Sequence, residues 1–207
     1  MTMESLLTRY PALAVCADSI EQAAELLIRR CGAGGKVLLC GNGGSSADCD
    51  HIVGELMKGF LSRRTLTEDD RERLAGVGAP ELADKLQYGI PAISLSSQTA
   101  VLSAFANDVS PDAVYAQLMF AYGTACDTAI CLSTSGNSIN VVLAAAAARA
   151  KGMAVLSLTG AKPAALDGKS DIVIKVPETE TYRVQELHLP VYHYLCAALE
   201  ETLFGEN

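Results

Sequence analysis

The chain has 207 residues, half of them apolar, and carries a formal net charge of −8. That length makes one domain with room for a sizeable core, and the acidic balance excludes the broad basic face that nucleic-acid binding needs. The longest apolar run, 141–148, ends at Arg149 and falls far short of the ~20 residues of a membrane span.

The start, MTMESLLTRY, lacks a basic segment followed by an apolar one, so no signal peptide is expected. The seven cysteines are odd in number and form no C-x-x-C pair. They read as buried, reduced thiols of a cytoplasmic protein.

Residues 4–31 carry an interrupted apolar stripe (Leu6, Leu7, Ala14, Ile20, Ala24, Leu27, Ile28) and predict one or two helices, with Pro11 as the break. Gly32, Gly34 and Gly35 close this N-terminal helical segment, 1–34. Strand one is 36–40, and a core helix follows over about 45–61. Residues 62–90 differ in texture, with a charged run from Glu68 to Arg73 and then Gly76, Gly78 and Pro80. They read as an inserted pair of short surface helices, placed as a lid would be.

Strand two falls at 91–96, a short helix ends at Asn107-Asp108, and Pro111 starts another that runs to about Tyr122. Strands three, four and five are expected at 128–133, 153–159 and 171–176, with an alanine-rich helix at 138–151. Thr179 or Thr181 can cap a last helix ending near Phe204. Strands separated by helices imply right-handed crossovers. The expected fold is therefore α/β, a single-domain three-layer α/β/α sandwich on a mostly parallel sheet.

Two glycine-serine turns lie between a strand and a helix, Gly41-Asn42-Gly43-Gly44-Ser45-Ser46 and Ser133-Thr134-Ser135-Gly136-Asn137-Ser138. Free backbone N–H groups and the positive end of a helix dipole converge at such places and make an anion site. Neither turn is a Walker A loop or a G-x-G-x-x-G dinucleotide fingerprint, so no nucleotide cofactor is expected. Their hydroxyls suit a phosphate monoester or a sugar. Taken singly, such residues also serve as plain turns and caps.

One turn into the first core helix, His51 and Glu55 stand four residues apart on one face. This is an acid-base or metal-ligand pair in position, although not the H-E-x-x-H zinc signature. The other two histidines, His188 and His193, lie in the last helix, where Pro190 would bend the helix or break one of its hydrogen bonds. Gln185 and His193 are eight residues apart, about 12 Å along an ideal helix. A single ion reaches both only if both side chains lean inward. Otherwise the site combines helices from two subunits.

Six segments, GNGGSSAD (41–48), HIVGE (51–55), FAND (105–108), STSGNS (133–138), KGMAVLSLTG (151–160) and VQELHLPVYH (184–193), together resemble the sugar isomerase (SIS) domain, and within it the phosphoheptose isomerases. The resemblance implies a five-stranded parallel sheet flanked by helices and a homotetramer with active sites between subunits. It implies an enzyme that converts sedoheptulose 7-phosphate to D-glycero-D-manno-heptose 7-phosphate. By position, Glu55 and His193 match the family's acid-base pair. His51, Glu55, Gln185 and His193 match the zinc site of members that bind Zn2+. Ser133, Thr134, Ser135 and Ser138 match the phosphate loop, Asn42 and Ser45 the sugar-contacting turn with Gly43 and Gly44, and Asn107 and Asp108 the FAND segment beside the substrate.

Two departures bear on the sugar. Residues 62–90 exceed the usual connection by roughly twenty residues, and Gln98 stands where the family usually has an Asp at the substrate. Gln keeps hydrogen-bonding capacity but loses charge and basicity. A rival reading within the same fold is a non-catalytic protein that associates with a replication initiator. The presence of both Glu55 and His193 favours the enzyme. Sugar-phosphate-sensing regulators usually add a DNA-binding module, for which the chain has neither room nor basic charge. Other phosphosugar isomerases, such as the arabinose 5-phosphate enzymes that usually carry a C-terminal regulatory module, are the alternative within enzymes.

Overall fold

The computed structural model describes residues 1–205. Its centre is a five-stranded sheet of β1 (Val37–Cys40), β2 (Ala92–Ser94), β3 (Thr128–Leu132), β4 (Ala154–Thr159) and β5 (Ile172–Lys175). All pairings are parallel and the strand order is β2-β1-β3-β4-β5. Eight helices surround it: α1 (Met3–Arg9), α2 (Ala17–Gly32), α3 (Gly44–Met57), α4 (Glu68–Gly76), α5 (Thr99–Asp108), α6 (Val114–Tyr122), α7 (Ile139–Ala150) and α8 (Thr181–Phe204).

The alternation of side chains along each strand divides the core in two. Val37, Leu39, Ile130, Leu132, Leu156 and Leu158 point to the layer that contains α2, α3 and α8. Leu38, Cys40, Ala129, Cys131 and Val155 point to the layer of α6 and α7. The alanines of α7 have a packing use here, since Ala144, Ala145 and Ala148 are fully buried and let that helix lie close to sheet and neighbour.

The topology locates the site. From β1 the chain crosses to β2 on one side, and β3 then joins β1 on the other, so the strand order reverses between β1 and β3. Ligands in open parallel sheets settle outside the carboxyl ends of the strands at such a reversal. The turn after β1 and the turn after β3, the two glycine-serine segments, are what stands there.

Several expected boundaries move. Residues 4–31 become α1, a 3-10 stretch over Pro11–Cys16, and α2, with the break at Pro11 as expected. The core helix stops at Met57 rather than 61, because Lys58 is extended. The last helix begins at Thr181 with Glu180 in the cap position and no side-chain cap bond, so neither threonine caps it. Pro190 sits inside α8 and the helix continues through it.

The 62–90 insertion holds the expected pair of short helical elements, α4 and a 3-10 turn over Pro80–Leu82. α4 is capped by Thr67, has Glu68, Asp69 and Asp70 in its first turn, and buries no residue. The two roots of the insertion are pinned together. The Ile90 N–H donates to the Leu56 carbonyl at 2.8 Å, the Gly59 N–H to Gln87 Oε1 at 2.8 Å, and the Tyr88 N–H to the Arg64 carbonyl at 2.9 Å. Beneath them Arg64, with no exposed side-chain surface, pairs with Glu200 at 2.9 Å. An insertion whose ends meet in this way leaves the register of β2 undisturbed.

Candidate active site

The turn after β3 is built as an anion cradle. Gly136 has φ +65, and a Cβ there would overlap that of Ala164, so only glycine fits. Its N–H donates to Ser133 Oγ at 3.1 Å, and Ser133 Oγ lies 3.1 Å from Ser138 Oγ. The Asn137 N–H donates to Ser135 Oγ at 3.2 Å. These bonds shape the turn and leave the N–H groups of Thr134, Ser135, Ser138, Ile139 and Asn140 without a protein acceptor among the described residues. Three of them form the open N-terminus of α7, where orphan donors and the helix dipole favour an anion.

The turn after β1 faces it. Asn42 and Asn140 exchange two amide hydrogen bonds, each 2.9 Å, across the gap between the two turns. The Ser45 and Ser46 N–H groups close onto the Asn42 and Gly43 carbonyls, so the first turn of α3 satisfies itself there. Ser45 is buried. Gly44 is the contact point with α8, because a Cβ on it would stand 2.5 Å from Gln185 Nε2. Glycine at 44 thus admits the Gln185 carboxamide to the start of α3.

Two turns further along α3, the His51–Glu55 pair forms as its spacing predicted, Nε2 to Oε1 at 3.2 Å. α8 brings His193 to the same place, its Nε2 3.5 Å from His51 Nε2. The two histidine rings meet edge-on at 5.0 Å, with Phe60 on the far side of His193 at 5.6 Å. Burial first, and then the neighbouring His51, lower the His193 pKa from its ordinary value, against an opposing pull from Glu55. Lys58 Nζ reaches Glu55 Oε2 at 3.4 Å.

Not every expected site residue converges in one chain. Gln185 lies against Gly44, two helical turns before His193, so the single chain leaves it away from the His51–Glu55–His193 group. Gln98 precedes α5 and accepts from the Tyr122 hydroxyl at 3.4 Å, with no hydrogen bond to either turn or to the His51–Glu55–His193 group among the described residues. Asn107 and Asp108 bond to each other at 2.8 Å at the far end of α5, about 14 Å along the helix from Gln98. An open and mostly apolar surface runs along α5 to its end, lined by Ala100, Val101, Ala104, Phe105 and Val109 together with Asp108.

His51, Glu55 and His193 are of the type that holds zinc. Their donor atoms follow one another at 3.2 and 3.5 Å. Among the described residues no group of three or more His, Cys, Asp or Glu side chains closes around one point as a metal cage. The donor set therefore fits zinc in kind and is incomplete within one chain.

The motifs did not single out several residues that the structure places here. Tyr192 is buried, with its hydroxyl 3.2 Å from Asp48 Oδ1 and 3.0 Å from His51 Nδ1. Asn140 pairs with Asn42, and the buried Tyr115 hydroxyl donates to the Gly41 carbonyl at 2.8 Å. Tyr192 sits beside His193 in the sequence, and Asp48 lies one turn before His51, which was the available signal. His188 serves the core: it is fully buried, its Nε2 lies 3.4 Å from the Thr159 carbonyl, and burial lowers its pKa to about 4.

A parallel sheet of order 2-1-3-4-5 with serine-rich turns at the reversal and a cluster of His51, Glu55 and His193 beside them defines the class, and the SIS domain family model matches residues 5–71 and 78–160. The chain belongs to the SIS domain family. Over 207 residues it is 36% identical to the phosphoheptose isomerase of Shewanella denitrificans, covering 99% of this chain and 94% of that one. It is 37% identical over 188 residues to the phosphoheptose isomerase of Rhodospirillum rubrum, covering 91% and 88%. Among solved structures, the phosphoheptose isomerase of Neisseria gonorrhoeae superposes with a TM-score of 0.76 at 30% identity, covering 96% of this chain and 94% of that one. That of Francisella tularensis gives 0.78 at 27% identity, with the same coverage.

Proposed function

We propose that the chain is a phosphoheptose isomerase, which interconverts sedoheptulose 7-phosphate and D-glycero-D-manno-heptose 7-phosphate through an enediol. The observation that carries this is the convergence of His51, Glu55 and His193 beside two turns, one of which holds five N–H groups without a protein acceptor among the described residues. Full-length relatives that bear this name support it.

The reaction moves a proton between C1 and C2 and redistributes protons between the two oxygens. Glu55 and His193 are the acid-base pair: one takes the carbon-bound proton and the other serves the oxygens. Such groups contribute roughly 10²–10⁴-fold each. The lowered pKa of His193 keeps its imidazole neutral at physiological pH, ready to accept a proton. The phosphate sits on the free amides of 134–140 with the hydroxyls of Ser133, Thr134, Ser135 and Ser138, and Asn42, Ser45 and Gln98 face the sugar. His51, Glu55, His193 and Gln185 would hold zinc, the last from a second subunit. Bound there, the ion would polarise the sugar carbonyl and stabilise negative charge on its oxygen.

The enzyme works as a homotetramer with the open face of α5 covered, which brings Asn107 and Asp108 to a neighbouring site. It works in the cytoplasm, where its seven free cysteines stay reduced. No helix among the described residues is long and apolar enough to cross a membrane. The test is incubation with sedoheptulose 7-phosphate, with added zinc or with chelator, following the aldose product. Product formation is expected, with loss on chelation. A folded protein that yields no product under either condition overturns the proposal.

A further inference from the structure

We infer that Asp48 and Tyr192 are positioning residues that hold His51 in its Nδ1–H tautomer, so that its Nε2 lone pair faces Glu55 and His193. The argument is a count of protons. Tyr192 is buried and has a single hydroxyl hydrogen. Its oxygen lies 3.2 Å from Asp48 Oδ1 and 3.0 Å from His51 Nδ1. The other carboxylate oxygen, Asp48 Oδ2, is buried and has no partner among the described residues.

If Tyr192 gave its hydrogen to His51, the Asp48 carboxylate would be left with no donor at all and a phenol oxygen pointed at it. Buried charge without a hydrogen bond is heavily penalised. The hydrogen therefore goes to Asp48. The phenol oxygen is then an acceptor, and His51 Nδ1 must be the donor. A neutral imidazole carries one hydrogen, so Nε2 is bare. That nitrogen stands 3.2 Å from Glu55 Oε1 and 3.5 Å from His193 Nε2, and two facing acceptors, the His51 Nε2 lone pair and the Glu55 carboxylate, call for a shared proton or a cation.

The arrangement also accounts for a polar group that the isomerase reading leaves unused. Asp48 is half-buried on α3 and, among the described residues, its side chain makes no hydrogen bond to Glu55 or His193 and has Tyr192 as its one hydrogen-bond partner. Its buried, unpartnered Oδ2 costs stability, and a directing role toward Tyr192 and His51 gives that cost a use. An orienting partner on the second nitrogen of a histidine commonly fixes which nitrogen stays free.

The kinetic arm of the test rests on the isomerase reading, and the spectroscopic arm does not. Long-range ¹H–¹⁵N correlation of the three histidines, at mildly alkaline pH and with metal removed, reads the tautomer directly. In the unmodified protein His51 should show a pyrrole-type Nδ1 and a pyridine-type Nε2. Tyr192→Phe keeps the ring and removes the relay, so His51 should move toward the Nε2–H form that free histidine favours. Asp48→Asn should do the same, because its amide can donate to the phenol oxygen and turn the hydroxyl toward Nδ1. It serves as the second variant should Tyr192→Phe fail to fold.

With sedoheptulose 7-phosphate, both variants should lose roughly 10–100-fold in kcat with KM changed less than kcat. An Nε2–H tautomer in the unmodified protein overturns the inference. So does loss of kcat in a folded variant whose His51 spectrum is unchanged, since that is a structural effect alone. Absence of turnover in every form, with the expected tautomers seen, would count against the isomerase reading and leave the positioning role standing.

Discussion

Glu200→Gln removes one charge from a place where the fold has no spare counter-charge. The Glu200 carboxylate accepts from the Phe60 and Leu61 N–H groups at 2.7 Å each, from Ser62 N–H at 3.0 Å and from Arg64 Nε at 2.9 Å. Arg64 in turn donates to the Leu56 and Glu55 carbonyls at 2.6 and 3.1 Å, closing the end of α3, and lies over the Phe204 ring at 4.9 Å. The side chains of the pair are 0% and 3% exposed. Glutamine keeps one acceptor oxygen and turns an N–H₂ toward donors, so at least one backbone N–H loses its partner and the guanidinium loses its counter-charge.

Breaking a buried pair from one side costs about 3–5 kcal/mol. At this chain length that lowers Tm by roughly 6–20 °C. Urea unfolding followed by circular dichroism, at fixed protein concentration, measures it. Replacing both partners with apolar residues should not rescue the loss, unlike an isolated ion pair, because three backbone donors depend on the same carboxylate.

Acid adds a check of sign. Burial pushes the Glu200 carboxyl up, but the Phe60 and Leu61 amides, Arg64 and the Ser62 amide outweigh it and hold it below the ordinary 4.5. Its contribution is thus present above pH 4.5 and lost as pH falls through the lowered folded value. Glu200→Gln should lack that part of the acid transition. A loss under about 1 kcal/mol would refute the reasoning that this pair anchors the insertion to the core.

Glu55→Gln should cut kcat by roughly 10²–10⁴-fold while leaving Tm nearly unchanged, and His193→Gln should do likewise; steady-state kinetics with thermal melts would expose any other outcome. His188 titrates at about 4 when folded against an ordinary 6.5, so the unfolded chain binds the extra proton. About 3 kcal/mol of stability, in order of magnitude, should be lost between pH 6.5 and 4, and a pH series of melts on His188→Gln should lack it. Gly136→Ala meets both a left-handed backbone and the Ala164 side chain; it should cost about 1–3 kcal/mol and raise KM more than it lowers kcat. Unchanged KM for a folded Gly136→Ala would remove the turn from phosphate binding.

What could be read from the chain, and what could not, divides by the range of the forces involved. The strands and the core helices were legible because burial on two faces of a parallel sheet demands near-continuous apolar runs: Val37–Cys40, Thr128–Leu132 and Ala154–Thr159 are buried at every position. The His51–Glu55 pair was legible because a helix fixes the i, i+4 neighbour. Helix ends were less so. Thr179 and Thr181 are both competent caps, and the helix begins with Glu180 in that place and no side-chain cap bond.

The rest depends on which element lies against which. Asp48, Tyr192 and His51 come from two helices separated by more than a hundred residues, and Arg64 meets Glu200 across 136 positions. No local periodicity records such a meeting. Gln185 and His193 show the same limit from the other side. Their spacing on α8 was readable, and it left two ways to share one ion: both side chains leaning inward along one helix, or helices of two subunits combining. The structure places one against Gly44 and the other against His51. Held by different partners two helical turns apart, the two side chains do not meet within one chain.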